Sequence, residues 1–357
     1  MKKNKLLFAV CIILTFLYSC SKDNTPAPPP APPKVTTGVF VLNQGTFGMN
    51  NTTLTYYDFA AGTQTTDFFK NVNGFGLGDT GSDFIIYGSK MFIVMNVSGY
   101  VAVANGITAK FIDTISFKNA GVNRGPENIV AADGHVFVSS TDGTVAVIDT
   151  SSLAVIKYIK VGSNPAQMAV AGDILYVSNT GGYNAPKYDS TVSVSPLNSL
   201  TETGRIVVGI NPGSIATDNA GNIYIACTGD YVAVKPRLVK VNINSSTIQS
   251  VDSAFGNIRY YNSNLFTTGG YLGAANVGIF NTTNLGSVRS SFITDGTVIE
   301  NPYGLDIDPA TGDVYVGDAK DYNSSGEVFC FDKTGKKKFS FSCSPGISPF
   351  KTALVQQ

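Results

Sequence analysis

The stretch NPAQMAVAGDILYVSN, residues 164–179, contains the pattern that decides the fold. A proline opens an apolar strand, a Gly-Asp turn reverses the chain, and a second strand ends in small polar residues. The same order recurs at NPGSIATDNAGNIYIA (211–226), NPYGLDIDPATGDVYVG (301–317) and PENIVAADGHVFVS (126–139). Short strands between turn residues, repeated at a fixed period, indicate an all-β fold built from similar units.

The period identifies the unit. Copies begin at residues 82, 126, 165, 212, 257, 302 and 349, and each has room for two further short strands. Four short strands in about 40 to 50 residues are typical of a propeller blade, so seven starts predict seven four-stranded antiparallel blades. The last start has no room for a blade of its own. We therefore expect residues 349–355 to become the innermost strand of the blade that contains residues 39–43, which closes the ring and removes a sheet edge.

The N-terminal residues predict an export signal. Three lysines lie in the first five residues, and the apolar run 6–17 has signal-peptide length but is too short to span a bilayer. The run ends in Leu17-Tyr18-Ser19-Cys20, which resembles a bacterial lipobox. The resemblance implies cleavage before Cys20 and a lipid on its thiol. An ordinary signal peptide with a chance cysteine at its cleavage site is the alternative.

The segment after Cys20 predicts a tether. Residues 21–24 (SKDN) are similar to the short signal that sends lipoproteins of Bacteroidota to the outer face of the outer membrane. Six of residues 25–33 are proline, and such a segment favours extended polyproline II at about 3.1 Å per residue. We predict a signal peptide at 1–19, a lipidated cysteine and tether at 20–37, and a propeller at 38–357. The protein would then be anchored in the outer membrane through its lipid alone and displayed on the surface.

Composition excludes some partners. The predicted mature chain keeps 22 basic against 25 acidic residues, a net charge of −3, so no basic excess favours nucleic acid. Besides Cys20 it keeps Cys227, Cys330 and Cys343, an odd number that excludes a complete disulfide framework. Cys330 and Cys343 flank a turn and could approach each other. Buried apolar thiols are the interpretation we prefer.

Two segments resemble known propellers. Residues 175–179 (LYVSN) are similar to the Tyr-Val-Thr-Asn repeat of YncE-like, surface-layer-like proteins. Residues 40–45 (FVLNQG), 54–58 (LTYYD), 71–74 (NVNG) and 77–80 (LGDT) resemble a family of Bacteroidota lipoprotein propellers. Some members capture corrinoids, vitamin B12 and its analogues, for a TonB-dependent transporter of the outer membrane. The resemblance implies the same fold and location, and it suggests a corrinoid as ligand and such a transporter as partner.

The candidate site is one face of the ring. In a propeller, the loops between strands two and three and the loops entering strand one lie on the same side, which we call the loop face. Here these loops are rich in tyrosine, which offers flat apolar area with a polar tip, and in asparagine, which offers a donor and an acceptor. We expect them to bind a large neutral ligand such as a corrinoid or a sugar. The predicted ligand-binding residues are Asn43, Phe47, Asn50, Asn73, Phe75, Asn96, Tyr100, Asn123, Asn179, Tyr183, Tyr188, Tyr231, Tyr271, Tyr303 and Tyr322. The alternative is that asparagine and glycine serve tight turns and tyrosine caps blade edges.

Catalysis finds little support in the sequence. His135 is the single histidine, and its repeat position elsewhere holds ordinary turn residues, so we expect neither a catalytic triad nor a histidine-based metal site. The carboxylates between Asp306 and Asp321 could bind calcium or serve a lactonase-type enzyme, but turn chemistry explains them as well. We therefore predict a ligand-binding protein without cofactor or catalytic residues. A glycan-binding or adhesion propeller is the second hypothesis, and a lactonase-type enzyme is the third.

Overall fold

The inner strands begin where the sequence period places them. The computed structural model describes residues 35–218, 220–253, 255–269 and 276–356. Within this part of the chain the strands form seven four-stranded antiparallel sheets and one small two-stranded sheet. The innermost strands each contact the next innermost strand around the molecule, so the sheets close into a ring. The predicted seven-bladed β-propeller is confirmed.

The blades are numbered along the chain, each with its strands from the centre outward. Blade 1 contains β30 (Pro349–Gln356), β1 (Thr36–Asn43), β2 (Thr53–Asp58) and β3 (Thr63–Thr65). Blade 2 contains β4 (Gly81–Tyr87), β5 (Lys90–Met95), β6 (Tyr100–Asn105) and β7 (Phe111–Ser116). Blade 3 contains β10 (Pro126–Ala132), β11 (His135–Ser140), β12 (Thr144–Asp149) and β13 (Val155–Lys160). Blade 4 contains β14 (Pro165–Ala171), β15 (Ile174–Asn179), β16 (Thr191–Pro196) and β17 (Gly204–Val207).

The remaining blades have the same order. Blade 5 contains β18 (Pro212–Thr217), β19 (Asn222–Cys227), β20 (Arg237–Asn242) and β21 (Thr247–Asp252). Blade 6 contains β22 (Ile258–Tyr261), β23 (Asn264–Thr268), β24 (Val277–Asn281) and β25 (Ser287–Arg289). Blade 7 contains β26 (Pro302–Ile307), β27 (Val314–Asp318), β28 (Ser325–Phe331) and β29 (Lys337–Ile347). Between blades lie α1 (Phe68–Asn73) and the hairpin of β8 (Lys118–Asn119) and β9 (Val122–Asn123), and a 3-10 turn, η1 (Gly182–Asn184), lies in a blade 4 loop.

The two ends of the described chain share blade 1, as the sequence predicts. β30 pairs antiparallel with β1, and Val41 lies opposite Thr352 in the register. β1 already starts at Thr36, so residues 36 and 37 belong to the sheet and not to the tether. No described helix has the length and apolar character that a membrane span requires.

Apolar side chains fill the spaces between neighbouring blades. Phe92 and Val94 of blade 2, for example, pack with Ile129 and Val136 of blade 3, and all four are buried. Each blade thus buries both of its faces, which explains the long apolar runs in the strands. Cys227, Cys330 and Cys343 are free thiols within this packing, so Cys330 and Cys343 do not form a disulfide.

A repeated hydrogen bond defines the loop face. In each blade the residue after the second strand, or its last residue in blade 6, donates its backbone N–H to the carbonyl of the residue before the innermost strand, for instance Asn96 to Thr80 at 2.8 Å and Ala319 to Asn301 at 3.0 Å. Corresponding bonds follow in the other blades: Gln44 to Ser348, Thr141 to Gly125, Thr180 to Asn164, Thr228 to Asn211, and Thr268 to Asn257. The two kinds of loop therefore meet at one end of every blade. Thr36, where β1 begins, lies at the other end.

Candidate functional site

Aromatic rings meet at the centre of the loop face. Tyr303, just inside β26, contacts Tyr322 of the β27–β28 loop edge to face, with ring centroids 5.4 Å apart. Phe350 of the closing strand lies 5.1 Å from Tyr303 on another side. The Tyr303 hydroxyl donates to Gln44 Oε1 at 2.8 Å. Burial, followed by the neighbouring Tyr322, raises the pKa of Tyr303 to about 12, so this phenol stays protonated as a donor.

A carboxylate lies at the same mouth. Glu127 follows the proline that opens β10, and its Oε1 accepts a hydrogen bond from Asn96 Nδ2 at 3.0 Å. The same amide donates to the Pro126 carbonyl at 2.9 Å. Burial raises the pKa of Glu127 to about 7, and the Asn96 hydrogen bond offsets this only in part. The charge of Glu127 also contributes to the raised pKa of Tyr183 and of Tyr303, so it acts electrostatically on phenols of blades 4 and 7.

Three further tyrosines stand on the adjoining loops of blades 4 and 5. Tyr183 is 77% exposed, and its backbone N–H donates to Asn164 Oδ1 at 3.3 Å. Tyr188 and Tyr231 pack edge to face with centroids 6.1 Å apart. Asn211 Nδ2 donates to the Tyr231 hydroxyl at 3.5 Å. These rings extend the aromatic surface outward from the mouth.

Other predicted residues lie on the loop face but serve the loops themselves. Phe47 is 78% exposed, and Asn50 has the left-handed backbone expected of a turn asparagine. Asn123 Nδ2 donates to the Asn96 and Val97 carbonyls, and the Tyr100 hydroxyl donates to the Leu77 carbonyl. The turn interpretation therefore explains most of these positions, while Phe47 remains a free apolar tip.

Asn43 and Asn179 are corrections to the predicted site. Both side chains are fully buried at the end of a second strand. Asn179 Nδ2 donates to Thr191 Oγ1 and Ser193 Oγ at 3.0 and 2.9 Å, and Asn43 Nδ2 donates in the same way to Thr53 and Thr55. Each amide thus donates hydrogen bonds to two hydroxyl groups on the neighbouring strand. Burial removes both residues from any surface that a ligand contacts.

Asn73 and Phe75 are also misplaced by the prediction. Asn73 Nδ2 donates to the Ala109 carbonyl at 2.9 Å, and its Oδ1 accepts from the backbone N–H of Phe111 at 2.9 Å. The Phe75 ring packs on Phe111 with centroids 5.4 Å apart. Ala109 and Phe111 belong to the β6–β7 hairpin, which lies at the opposite end of the strands. The short helix α1 carries the chain back to that end before β4 begins, and no residue pattern in the sequence predicts it.

Two predicted residues lie outside the described residues. These are Cys20, the proposed lipidation site, and Tyr271. Of the set, Asn96, Tyr183, Tyr303 and Tyr322 are brought together around the mouth, with Tyr188 and Tyr231 beside them.

Below the mouth, charged side chains line the central channel. A cavity of 260 Å³ is bordered by Asp83, Gln167, Arg259 and Lys351, with Phe350. Asp306 Oδ1 accepts from Lys351 Nζ at 2.6 Å and from Arg259 Nε at 3.2 Å. Ion pairs therefore join the innermost strands of the neighbouring blades 6, 7 and 1.

The two channel carboxylates have opposite environments. Burial raises the pKa of Asp306, but Lys351 and then Arg259 outweigh it, so the net pKa lies below its usual range. Burial raises the pKa of Asp83 above its usual range, because Lys351 acts on it only from a distance. Asp83 Oδ2 accepts instead from the Ile129 N–H at 3.1 Å. Both acids stabilise contacts between blades.

The other acidic candidates have local roles. Asp318 accepts backbone N–H groups of Glu300, Asn301 and Lys320 at 3.1, 2.8 and 2.9 Å, and so holds two loops together. Asp308 accepts from the Ala310 N–H at 2.9 Å within its hairpin turn. Among the described residues no group of three or more His, Cys, Asp or Glu side chains is arranged to hold a metal ion.

Sequence reasoning missed Glu127, Gln44 and the channel charges. A signal existed for Glu127: of the five copies that open with proline, four continue with Ala166, Gly213, Tyr303 or Phe350, and only the copy in blade 3 has a charged residue after the proline. The pairing of Asp306 with Lys351 had no such signal, because 45 residues separate them.

The comparisons with known proteins agree with this architecture. Residues 37–343 match the model of a domain of unknown function, DUF5074. The chain belongs to this family. No curated protein matches this DUF5074 chain.

Solved structures with a similar fold come from distant proteins. A quinonprotein alcohol dehydrogenase-like protein from Bacteroides thetaiotaomicron is 14% identical, with a TM-score of 0.65 over 90% of this chain and 79% of that one. Hydrazine synthase of Kuenenia stuttgartiensis is 17% identical, with a TM-score of 0.57 over 71% and 76%. A chain of the mitotic checkpoint complex is 11% identical, with a TM-score of 0.59 over 78% and 83%. At such identities the likeness concerns the fold alone.

Proposed function

We propose that this DUF5074 propeller is a non-enzymatic surface lipoprotein that binds a large neutral ligand on its loop face. The observation that supports it is the cluster of Tyr303, Tyr322 and Phe350 at the channel mouth, flanked by the amides of Gln44 and Asn96. Rigid aromatic faces beside amide groups suit a ligand that is broad and apolar but rimmed with hydrogen-bonding groups.

The ligand we propose is a corrinoid. Its ring offers a broad face, and its amide side chains supply donors and acceptors around the rim. A corrinoid is far larger than the 260 Å³ channel cavity, so it would lie across the mouth rather than enter the channel. The adjoining rings of Tyr183, Tyr188 and Tyr231 would then extend the contact area.

The proposal includes display at the membrane and a transporter. Lipidation of Cys20 would anchor the chain in the outer membrane, and β1 starts at the end of the ring opposite to the loop face. The loop face would therefore be open to the medium for capture, and the proline-rich tether would let the domain turn toward a TonB-dependent transporter. Replacement of Cys20 by serine should release the protein from the membrane fraction, which fractionation of expressing cells would measure.

Calorimetry tests ligand binding. Residues 21–357, which lack the signal and the lipid, are titrated with cyanocobalamin, and saturable heat at micromolar concentration is expected. Tyr303→Ala and Tyr183→Ala should weaken the binding, because each removes aromatic area at the mouth. Ile156→Ala, on an exposed position of the outer strand β13, serves as the control. The absence of heat with the unaltered protein would reject the corrinoid.

A further inference from the structure

We propose that Glu127 determines specificity at this site, by accepting hydrogen bonds from a primary amide on the rim of the ligand. The inference rests on the proposed function and deepens it, because it names the group that the mouth recognises. Glu127 would be a charged contact among the aromatic and amide groups of the mouth. It would also make binding depend on pH.

The Glu127 carboxylate can accept more hydrogen bonds than it receives within the protein. A carboxylate can accept about four hydrogen bonds. Among the described residues Glu127 has one donor, Asn96 Nδ2, at 3.0 Å. No described lysine or arginine lies within ion-pair distance of it. A half-buried carboxylate with one neutral partner is costly in the free protein, and a ligand that supplies N–H donors would offset this cost.

The groups around Glu127 favour a ligand carboxamide over a ligand carboxylate. Tyr183 lies on the β15–β16 loop and Tyr303 on β26, and desolvation, followed by nearby groups that include Glu127, raises the pKa of both phenols. Neither tyrosine ionises near neutral pH, and Asn96 does not titrate, so Glu127 is the titrating group among its facing partners. A ligand carboxylate at this position would be repelled, whereas a carboxamide would be bound. This matches a rim of amides and not a rim of acids.

The pH dependence follows from the pKa of about 7 that burial gives Glu127. Ionised Glu127 accepts amide N–H groups more strongly than the neutral acid does, so the ligand should lower this pKa on binding. Affinity should therefore be highest above neutral pH and should fall as the pH decreases through 7. A variant with glutamine at this position should bind with no such change.

The experiment is calorimetry with cyanocobalamin at about pH 8 and about pH 5.5, on the unaltered protein, Glu127→Gln and Glu300→Gln. Glu300 is an exposed glutamate on the loop face, and among the described residues no hydrogen bond or ion pair joins its side chain to the mouth, so Glu300→Gln is the matched control. We expect the unaltered protein and Glu300→Gln to bind about tenfold more weakly at the lower pH, and Glu127→Gln to bind about tenfold more weakly at the higher pH with a flat profile.

Each outcome is decisive. If Glu127→Gln retains both the affinity and the pH slope of the unaltered protein, the role of Glu127 is wrong while the ligand-binding function stands. If the unaltered protein gives no heat at either pH, both proposals fail. Circular dichroism establishes that the variant is folded. Glu127→Asp, which keeps the charge on a shorter side chain, should keep the pH slope with reduced affinity.

Discussion

Lys351 Nζ lies 2.6 Å from Asp306 Oδ1, and this contact joins the closing strand β30 to the innermost strand of blade 7. The same carboxylate accepts from the Thr352 N–H at 2.7 Å and pairs with Arg259 of blade 6. The Asp306 carboxylate thus links three strands that are distant in sequence: β22, β26 and β30. Ring closure therefore depends on specific charges in the channel as well as on the pairing of β30 with β1.

Replacement of Asp306 by asparagine should lower the free energy of unfolding by about 3 kcal/mol, because Arg259 and Lys351 lose their shared carboxylate in a largely buried channel. Urea unfolding followed by circular dichroism measures this. Asp306→Asn combined with Lys351→Met should recover part of the loss. Lys333→Met, on an exposed hairpin turn, should change little. Equal stability of Asp306→Asn and the unaltered protein would contradict the role of the ion pairs.

The Asp306 pairing also predicts an acid dependence. The folded-state pKa of Asp306 lies below its unfolded value, so its contribution is complete above the unfolded pKa and is lost as pH falls through the folded pKa. The stability difference between the unaltered protein and Asp306→Asn should therefore be constant near neutral pH and shrink in strong acid. Urea midpoints measured over a series of acidic buffers give this difference. A gap that widens in acid would be inconsistent with the pairing.

Glu127 predicts the opposite dependence of folding stability on pH, and the measurement needs no ligand. Its folded pKa of about 7 is above the ordinary 4.5, so folding favours the protonated acid. Between these values a rise in pH should destabilise the unaltered protein, by at most about 3 kcal/mol, and the loss should level off above 7. Glu127→Gln should escape this loss and be the more stable protein in mild alkali. Thermal unfolding across this pH range is the measurement, and parallel curves for the two proteins would count against a buried acid.

Asn179 and Asn96 should separate stability from binding. Asn179→Ala removes two buried bonds to hydroxyl groups and one that its Oδ1 accepts from the Gly162 N–H, so a loss of about 2 kcal/mol in unfolding free energy is expected. Its affinity for ligand should not change. Asn96→Ala, at the half-buried mouth, should weaken binding more than folding. Parallel calorimetry and urea unfolding of the two variants would show the opposite result if Asn179 faced the ligand.

The contrast between these asparagines shows what the sequence could supply. Period and strand pattern predict seven blades and the shared blade correctly, because each strand repeats a local pattern of apolar and turn residues. The local sequence around an asparagine at a strand end looks the same in both cases. Asn179 donates hydrogen bonds to buried hydroxyl groups, whereas Asn96 faces the mouth. Which of these an asparagine does depends on the neighbouring strand and blade. A helix as short as α1 also has no periodic signal, so Asn73 and Phe75 could not be placed from sequence.

The packing of Pro349 gives a final test of ring closure. A Cβ on Gly317 would lie 2.1 Å from the Pro349 carbonyl oxygen, and one on Gly326 would lie 2.2 Å from its Cδ, so glycine leaves the space that the closing strand occupies. Gly317→Ala should force β30 away from β27 and cost about 2 to 3 kcal/mol in unfolding free energy. Gly213→Ala is the matched control, since the nearest atom to its Cβ would be 3.8 Å away. Because the clash is with backbone, no side-chain rearrangement can relieve it. Limited proteolysis should then cleave the Gly317→Ala protein within residues 344–357 earlier than it cleaves the Gly213→Ala protein. Identical cleavage of the two variants would show that the position of β30 does not depend on the space left by Gly317.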